Sequence, residues 1–571
     1  MSAKGMAGPV KGHFDVVIVG AGWGGIYLVE RMRRSNLSLV LFEAGTDVGG
    51  TWYWNRYPGA RVDTPSVDYS FSFDPQLEQD WHWNEHYSPQ PDVESYAQHV
   101  AERFDLYRDM RFGARVESAT YDAAANLWRV RTGAGDDVTA KYCIMATGGY
   151  SEPIKPNIPN IDAYKGDLYF TARYPKNPAP YAGKRIGVIG TGSSGMQTAT
   201  WLATKEDVGH LYVFQRTANF AIPCLNRPMD DEYEQAVKSN YRARREVAKG
   251  SGSGTPYPGK SGPVAKLSDE DFEARMDEVW QMGGPAVIAG LSDIAVDIKA
   301  NDRVADYSRD KVRQRVKDPE VAEKLVPRGH LFISRRTLIE DGYYEIYNQD
   351  NVTLVDVKAD PIETFTEKGL VVGGKEIELD MIICATGFDS GTGGLFAIDI
   401  TGENGAKLPA KWSDNLWSYL GIFIDGFPNL FSVDGPGSPS IRSNMLHLCE
   451  LQADWIGDLL DYGREHGVIR YSTTPEAEKA WTDHADAVVA ATLLAHDDTQ
   501  YCGANVPGKA RHYLAYCGGV GAYRRITNAI RDAGYEGLKL ETANGVLDNP
   551  KTWSGNVPQG TPSEEAELAI L

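Results

Sequence analysis

The hydrophobic pattern of the chain contains one local grammar written twice. Residues 16–19 (VVIV) form a β-branched run that leads into Gly20-Ala21-Gly22-Trp23-Gly24-Gly25. Residues 26–32 then place apolar side chains at helical spacing, and a second apolar run, 39–42 (LVLF), ends in Glu43. This order predicts strand, glycine turn, helix and parallel strand, joined by a right-handed crossover. Residues 186–189 repeat it, with Gly190-Thr191-Gly192-Ser193-Ser194-Gly195, a helix through Leu202 and a strand over 211–214. Two further apolar runs, 143–148 (CIMATG) and 382–387 (IICATG), each end in an Ala-Thr-Gly turn. Each predicts a strand that closes one unit and returns the chain towards the other.

The fold class read from this pattern is α/β, with two interleaved Rossmann-like dinucleotide-binding domains and a helical insertion. The first domain is expected from residues 1–150 and 388–541, the second from 151–225 and 331–387. Residues 226–330 break the pattern. Charged helical stretches at 230–248 and 269–280 flank a Gly/Ser/Pro-rich loop, 250–263, that is expected to be mobile. The tail, 542–571, is rich in Gly, Pro and Glu and is expected to wrap or fray at the surface.

Bulk properties narrow the function classes. A chain of 571 residues exceeds one core and suggests three or four domain-sized units. A net charge of -20 argues against nucleic-acid and anionic-membrane partners, which need a basic face, and is otherwise a matter of solubility. Cys143, Cys224, Cys384, Cys449, Cys502 and Cys517 include no C-x-x-C pair, so neither a metal site nor a redox dithiol is expected. Reduced, mostly buried thiols fit a cytoplasmic protein. No apolar h-region precedes the first strand and no apolar run is long enough to span a bilayer, so a soluble protein is expected, as a monomer or weak oligomer.

The glycine loops carry the first chemistry. Gly20 allows a tight turn, Gly22 lets the backbone approach a pyrophosphate, Gly25 permits close helix–strand packing, and the helix N-terminus supplies N–H donors. Glu43 at the next strand end is placed to accept from a ribose 2'-hydroxyl and would repel a 2'-phosphate, which points to FAD or NAD. At the second loop the corresponding position reads Gln215-Arg216-Thr217. A cation and a hydroxyl there favour a 2'-phosphate and therefore NADP(H). The stretch from Gly49 to Asp63, GGTWYWNRYPGARVD, spends several aromatics in one loop and is expected to pack against a flat cofactor.

These loops, the two ATG turns, the GGTWYWNRYPGARVD stretch, and Arg335-Arg336 ahead of Gly342-Tyr343-Tyr344-Glu345 together resemble the type I Baeyer-Villiger monooxygenases, close in layout to those acting on phenylacetone and steroids. The resemblance runs over residues 14–541. It implies a reaction in which NADPH reduces FAD, O2 gives a flavin C4a-peroxide, and a ketone becomes an ester or lactone. Arg336 is then the catalytic cation, Asp63 the carboxylate that positions it, and Arg335 a cation near the 2'-phosphate. A fixed guanidinium suits that role because it stabilises developing negative charge and does not lose its own proton. The FAD contacts expected are Gly20, Gly22, Gly25, Glu43, Thr51, Trp52, Asp63, Tyr69, Val116 and Met445. Those for NADP are Gly190, Thr191, Gly192, Ser193, Ser194, Gly195, Gln197, Arg216, Thr217 and Arg335.

The family fingerprint F-x-G-x-x-x-H-T-x-x-W-P is altered here. Gly166, Thr171 and Pro175 are kept, but Phe170 replaces the histidine and Tyr174 the tryptophan. Because the resemblance makes this segment a link between domains, altered coupling is expected rather than a dead enzyme. Gly149, Gln500 and Arg442 also depart from the pattern. Arg442 is expected to snorkel outward, since an unpaired buried cation is costly. An N- or S-oxygenating monooxygenase is the alternative. A two-dinucleotide reductase would need a thiol pair that the chain lacks.

Overall fold

The computed structural model describes residues 5–257, 259 and 261–555. Its centre is two sheets. The first has eight strands, ordered Asp399–Thr401, Val116–Asp122, Leu127–Thr132, Asp137–Met145, Lys11–Val19, Leu39–Phe42 and Met110–Arg111, with Leu430–Ser432 also pairing with Asp137–Met145. The second has five parallel strands, ordered Val352–Asp356, His210–Gln215, Arg185–Ile189, Met381–Cys384 and Asp167–Phe170. Each sheet thus draws strands from two separated stretches of chain, as the recurring pattern predicts.

The central strands are apolar throughout because both faces are covered. Residues 16–19 and Leu39–Phe42 are entirely buried, and so are residues 186–189 and Met381–Cys384. Register aligns Val19 with Phe42 on one side and Met145 on the other, and Ile189 with Phe214 and Cys384. All the strands that carry a glycine loop or an ATG turn therefore end level, and their carboxyl ends open on one space between the sheets.

The two glycine turns are near duplicates in geometry. Gly20 and Gly190 have φ of +104° and +106°. The Gly20 N–H donates to the Phe42 carbonyl at 2.8 Å, and the Gly190 N–H to that of Phe214 at 3.0 Å. A Cβ on Gly20 would lie 2.5 Å from the Ala146 oxygen, and one on Gly190 2.5 Å from the Ala385 oxygen. Ala146 and Ala385 belong to the ATG turns, whose N–H groups are in turn held by Val19 and Ile189, each at 2.9 Å. Each ATG turn is therefore the back wall of a glycine loop.

Residues 226–330 are helical, as expected, but the first charged stretch is two helices, Asp231–Ser239 and Tyr241–Gly250, broken at Asn240. Ile298–Arg315 and Pro319–Leu325 add two helices capped by Asp297 and Asp318. The insertion is pinned to the first unit by a two-point Arg244–Asp68 pair at 2.7 and 2.6 Å and by Arg245, which reaches Glu78 and His447. The beginning of the loop expected to be mobile is docked: the Ser253 carbonyl accepts from the Asn444 N–H at 2.7 Å. Pro258 and Lys260 lie outside the described residues. The described part of the tail wraps: Trp553 is buried against Trp481, while 556–571 lie outside the described residues. No helix among the described residues is long and apolar enough to cross a membrane.

Candidate active site

Helices Trp23–Arg34 and Ser193–Lys205 start at Gly22 and Gly192, with no acidic side chain in the first turn and no side-chain cap. Their first N–H groups and positive dipole ends are left for a ligand. Both helix starts open on one cavity of about 1370 Å³ between the sheets, larger than the usual 300–1,000 Å³ of a small-molecule site.

Most of the expected contacts meet there. Gly20, Gly22, Glu43, Thr51, Trp52, Asp63, Tyr69, Val116 and Met445 line the cavity, and so do Gly190, Thr191, Gly192, Ser193, Ser194, Gln197, Arg216, Thr217, Arg335 and Arg336. Gly25 and Gly195 do not line it. Their Cβ atoms would fall 1.8 and 1.9 Å from the Gly20 and Gly190 oxygens, so these two positions serve the turn rather than the ligand.

Glu43 is buried, and its two oxygens accept from the Ala21 N–H at 2.8 Å and the Gly45 N–H at 2.6 Å. It therefore braces the glycine loop while lining the cavity. Burial pushes its pKa up and the two backbone donors pull against that. At the second loop, Arg216 is exposed on the cavity wall and stands near enough to Arg335 to help burial in lowering the latter's pKa. Two cations at one end of a cavity mark it for a phosphate.

The GGTWYWNRYPGARVD stretch does two jobs. Thr51, Trp52, Trp54, Asn55, Tyr57 and Asp63 line the cavity, and the Trp52 and Trp23 indole N–H groups both donate to the Tyr69 oxygen, at 3.1 and 3.0 Å. The same stretch also docks on the second nucleotide helix: the Tyr57 hydroxyl donates to Gln197 Oε1 at 2.8 Å, and Gln197 Nε2 donates to the Arg61 carbonyl at 3.3 Å. Trp54 is covered by the Arg173 guanidinium, 4.5 Å from the ring centre. Sequence reasoning passed over Arg173, which sits between the two altered fingerprint positions and itself lines the cavity.

In the cavity wall, Arg336 Nε donates to Asp63 Oδ2 at 2.6 Å, joining residues 273 apart in sequence. About a third of each side chain is accessible, 34% and 30%, and that exposure faces the cavity both residues line. The Asp63 carboxylate holds the Arg336 guanidinium well above its ordinary range. The pair presents a permanently cationic group whose plane is fixed by a partner.

Neither altered fingerprint residue lines the cavity. Phe170 ends a strand and pairs with Cys384, while Tyr174 is buried with its hydroxyl 3.0 Å from that of Tyr181. Arg442 corrects an expectation. It turns inward, its Nη1 donating to the Tyr513 hydroxyl at 3.1 Å and its guanidinium lying 5.1 Å from the Tyr501 ring centre. Two tyrosines supply what a carboxylate would, through a hydroxyl acceptor and a π face, although Nε has no hydrogen-bond partner among the described residues.

The geometry has close counterparts. The pyridine nucleotide-disulphide oxidoreductase family model matches residues 17–222. A cyclohexanone 1,2-monooxygenase of Acinetobacter is 38% identical over 95% of this chain and 99% of its own. A Baeyer-Villiger monooxygenase of Pseudooceanicola batsensis is 38% identical over 93% of this chain and 96% of its own. The chain belongs to the Baeyer-Villiger monooxygenase family. The structure of an oxidised steroid monooxygenase bound to NADP superposes on this monooxygenase with a TM-score of 0.88 at 42% identity, covering 92% of this chain and 99% of that one. A phenazine N-monooxygenase of Lysobacter antibioticus, 36% identical over 93% of this chain and 98% of its own, is also similar to it.

Proposed function

We propose that this monooxygenase uses NADPH and O2 to convert a small ketone to an ester or lactone, with FAD on the loop of Gly20 to Gly25 and NADPH on that of Gly190 to Gly195. The observation that carries this reading is the Asp63–Arg336 pair standing in one cavity with both loops. FAD, once reduced by NADPH, supplies the oxygen-transferring chemistry.

The residues present fit both nucleotides. Each helix start leaves N–H donors for a diphosphate, and a Cβ on Gly192 would meet no protein atom within 4 Å, so its smallness clears space rather than packs. The carboxylate of Glu43 suits a ribose hydroxyl on FAD. Arg216 and Arg335, with the Thr217 hydroxyl, suit the 2'-phosphate of NADPH.

In the reaction, Arg336 stabilises the negative charge that develops on oxygen at the attacked carbonyl. Asp63 is the positioning residue. It grips the guanidinium through Nε and fixes its plane, so little reorganisation is needed as charge develops.

Removal of the Arg216 cation tests the nucleotide assignment. A charge-assisted bond is worth about 1.5–3 kcal/mol, so Arg216→Ala is expected to raise KM for NADPH about 10- to 150-fold and leave KM for NADH nearly unchanged. A variant that keeps the full preference for NADPH over NADH refutes the placement of the 2'-phosphate.

The similarity to an N-oxygenating relative favours a second reading, oxygen transfer to a soft nitrogen or sulfur. Incubation with a panel of ketones against a panel of sulfides and amines separates the two. Esters or lactones are the expected products; sulfoxide or N-oxide with no ester overturns the ketone assignment.

A further inference from the structure

Asp434 stands at the end of the strand Leu430–Ser432, in the segment that leads to the Gly435-Pro436-Gly437 turn. Its backbone is left-handed, with φ of +62°, and its N–H donates to Gln452 Oε1 at 2.7 Å on the helix Met445–Glu465. The residue lines the main cavity, yet only 4% of it is accessible and its carboxyl oxygens are sealed from solvent. Neither oxygen closes a hydrogen bond of normal geometry among the described residues; the Ser440 hydroxyl and the Gly149 N–H act on the carboxyl as weak donors that pull its pKa down against burial.

A buried carboxylate with no cation beside it costs far more than a neutral one. The titratable groups that sense Asp434 are Tyr150, beyond the first ATG turn, and Cys449 on the helix. Burial raises the pKa of both, so both are neutral through the physiological range and neither compensates a charge on Asp434. Together the cavity wall, the seal and the absence of a cation beside it among the described residues single out this acid from the surface carboxylates.

We propose that Asp434 is a proton-holding acid in the wall of the flavin site, and that its charge state tunes the readiness of bound FAD to accept electrons. This rests on the assignment of FAD to the first glycine loop. Asp434 acts through space on the cofactor, as a tuning and positioning residue, and is separate from the Asp63–Arg336 pair.

Burial pushes its pKa up to about 7. Below that value Asp434 is neutral, and above it Asp434 adds one negative charge to the wall that disfavours electron uptake.

The test is the midpoint potential of the FAD-loaded enzyme at about pH 5.5 and about pH 8.5, on either side of the transition, for the wild type, Asp434→Asn and Asp434→Ser. The expected result is potentials that coincide at the low pH and are shifted upward in both variants at the high pH. In the wild type alone, the bound-flavin absorbance should show a single-proton step with a midpoint of about 7 that the variants lack. Coincident potentials at both pH values, an equal offset at both, or a wild-type spectrum with no step would each overturn the role of Asp434. Failure of the wild type to take up FAD at all would instead overturn the cofactor assignment.

Discussion

Arg336→Ala is expected to lower ester formation about 10²- to 10³-fold, the cost of removing one fixed group that stabilises a developing oxyanion, while anaerobic reduction of FAD by NADPH is expected to change only a few-fold. The split follows from placement. Arg336 lines the cavity that both loops line and is held at 2.6 Å by Asp63, while Arg216 and the helix start at Gly192 stand on the second nucleotide unit. NADPH is therefore still consumed, and the electrons are expected to leave as hydrogen peroxide. Arg336→Lys is expected to recover little, because an ammonium does not reproduce the planar grip on Asp63. Measuring ester and peroxide per NADPH, beside stopped-flow reduction, checks this. An Arg336→Ala enzyme that still makes ester at a tenth of the wild-type rate would place the decisive cation elsewhere.

A methyl group at Gly25 or Gly195 separates the two nucleotides. At either position Cβ would sit under 2 Å from a carbonyl oxygen of its own loop, at 1.8 or 1.9 Å, and backbone cannot yield as a side chain end can. Overpacking of this kind costs about 1–3 kcal/mol or more and displaces the turn. Gly25→Ala is expected to purify with most of its FAD lost. Gly195→Ala is expected to keep FAD and its yellow colour while KM for NADPH rises at least tenfold. The ratio of flavin absorbance to protein absorbance and a nucleotide titration read the two effects. Equal FAD loss in both variants would argue that the loops are not independent sites.

The nucleotide units were legible because glycine punctuates them. The strand 39–42 is found as expected, and the first strand is longer than its apolar core only because residues 11–15 continue it with exposed or half-buried side chains. The long helix Met445–Glu465 was not legible. It is buried on several sides, and its buried polar residues interrupt any apolar stripe because each of three has a polar partner: His447 meets Arg245, Glu450 meets Ser72 and Gln452 meets Tyr523. The Asp63–Arg336 pair spans too many residues for local pattern to join, and the family resemblance alone brought it forward. For Arg442 the argument from charge burial was sound, but Tyr501 and Tyr513 supply partners that no spacing announced. Asp434 reads in sequence as an ordinary turn acid, and only its enclosure distinguishes it.

The matched clearances behind the two glycine loops separate ancestry from use. At Gly20, Gly25, Gly190 and Gly195 a side chain is refused by the protein's own carbonyl oxygens, so a descendant that abandoned both nucleotides would still be confined to glycine there. Gly192, where a methyl would touch no protein, and the exposed cation at Arg216 would be free to drift, whereas Glu43 would be kept by the two backbone N–H groups it holds. In this lineage the motif records the architecture, and the record of binding is kept by its least constrained members.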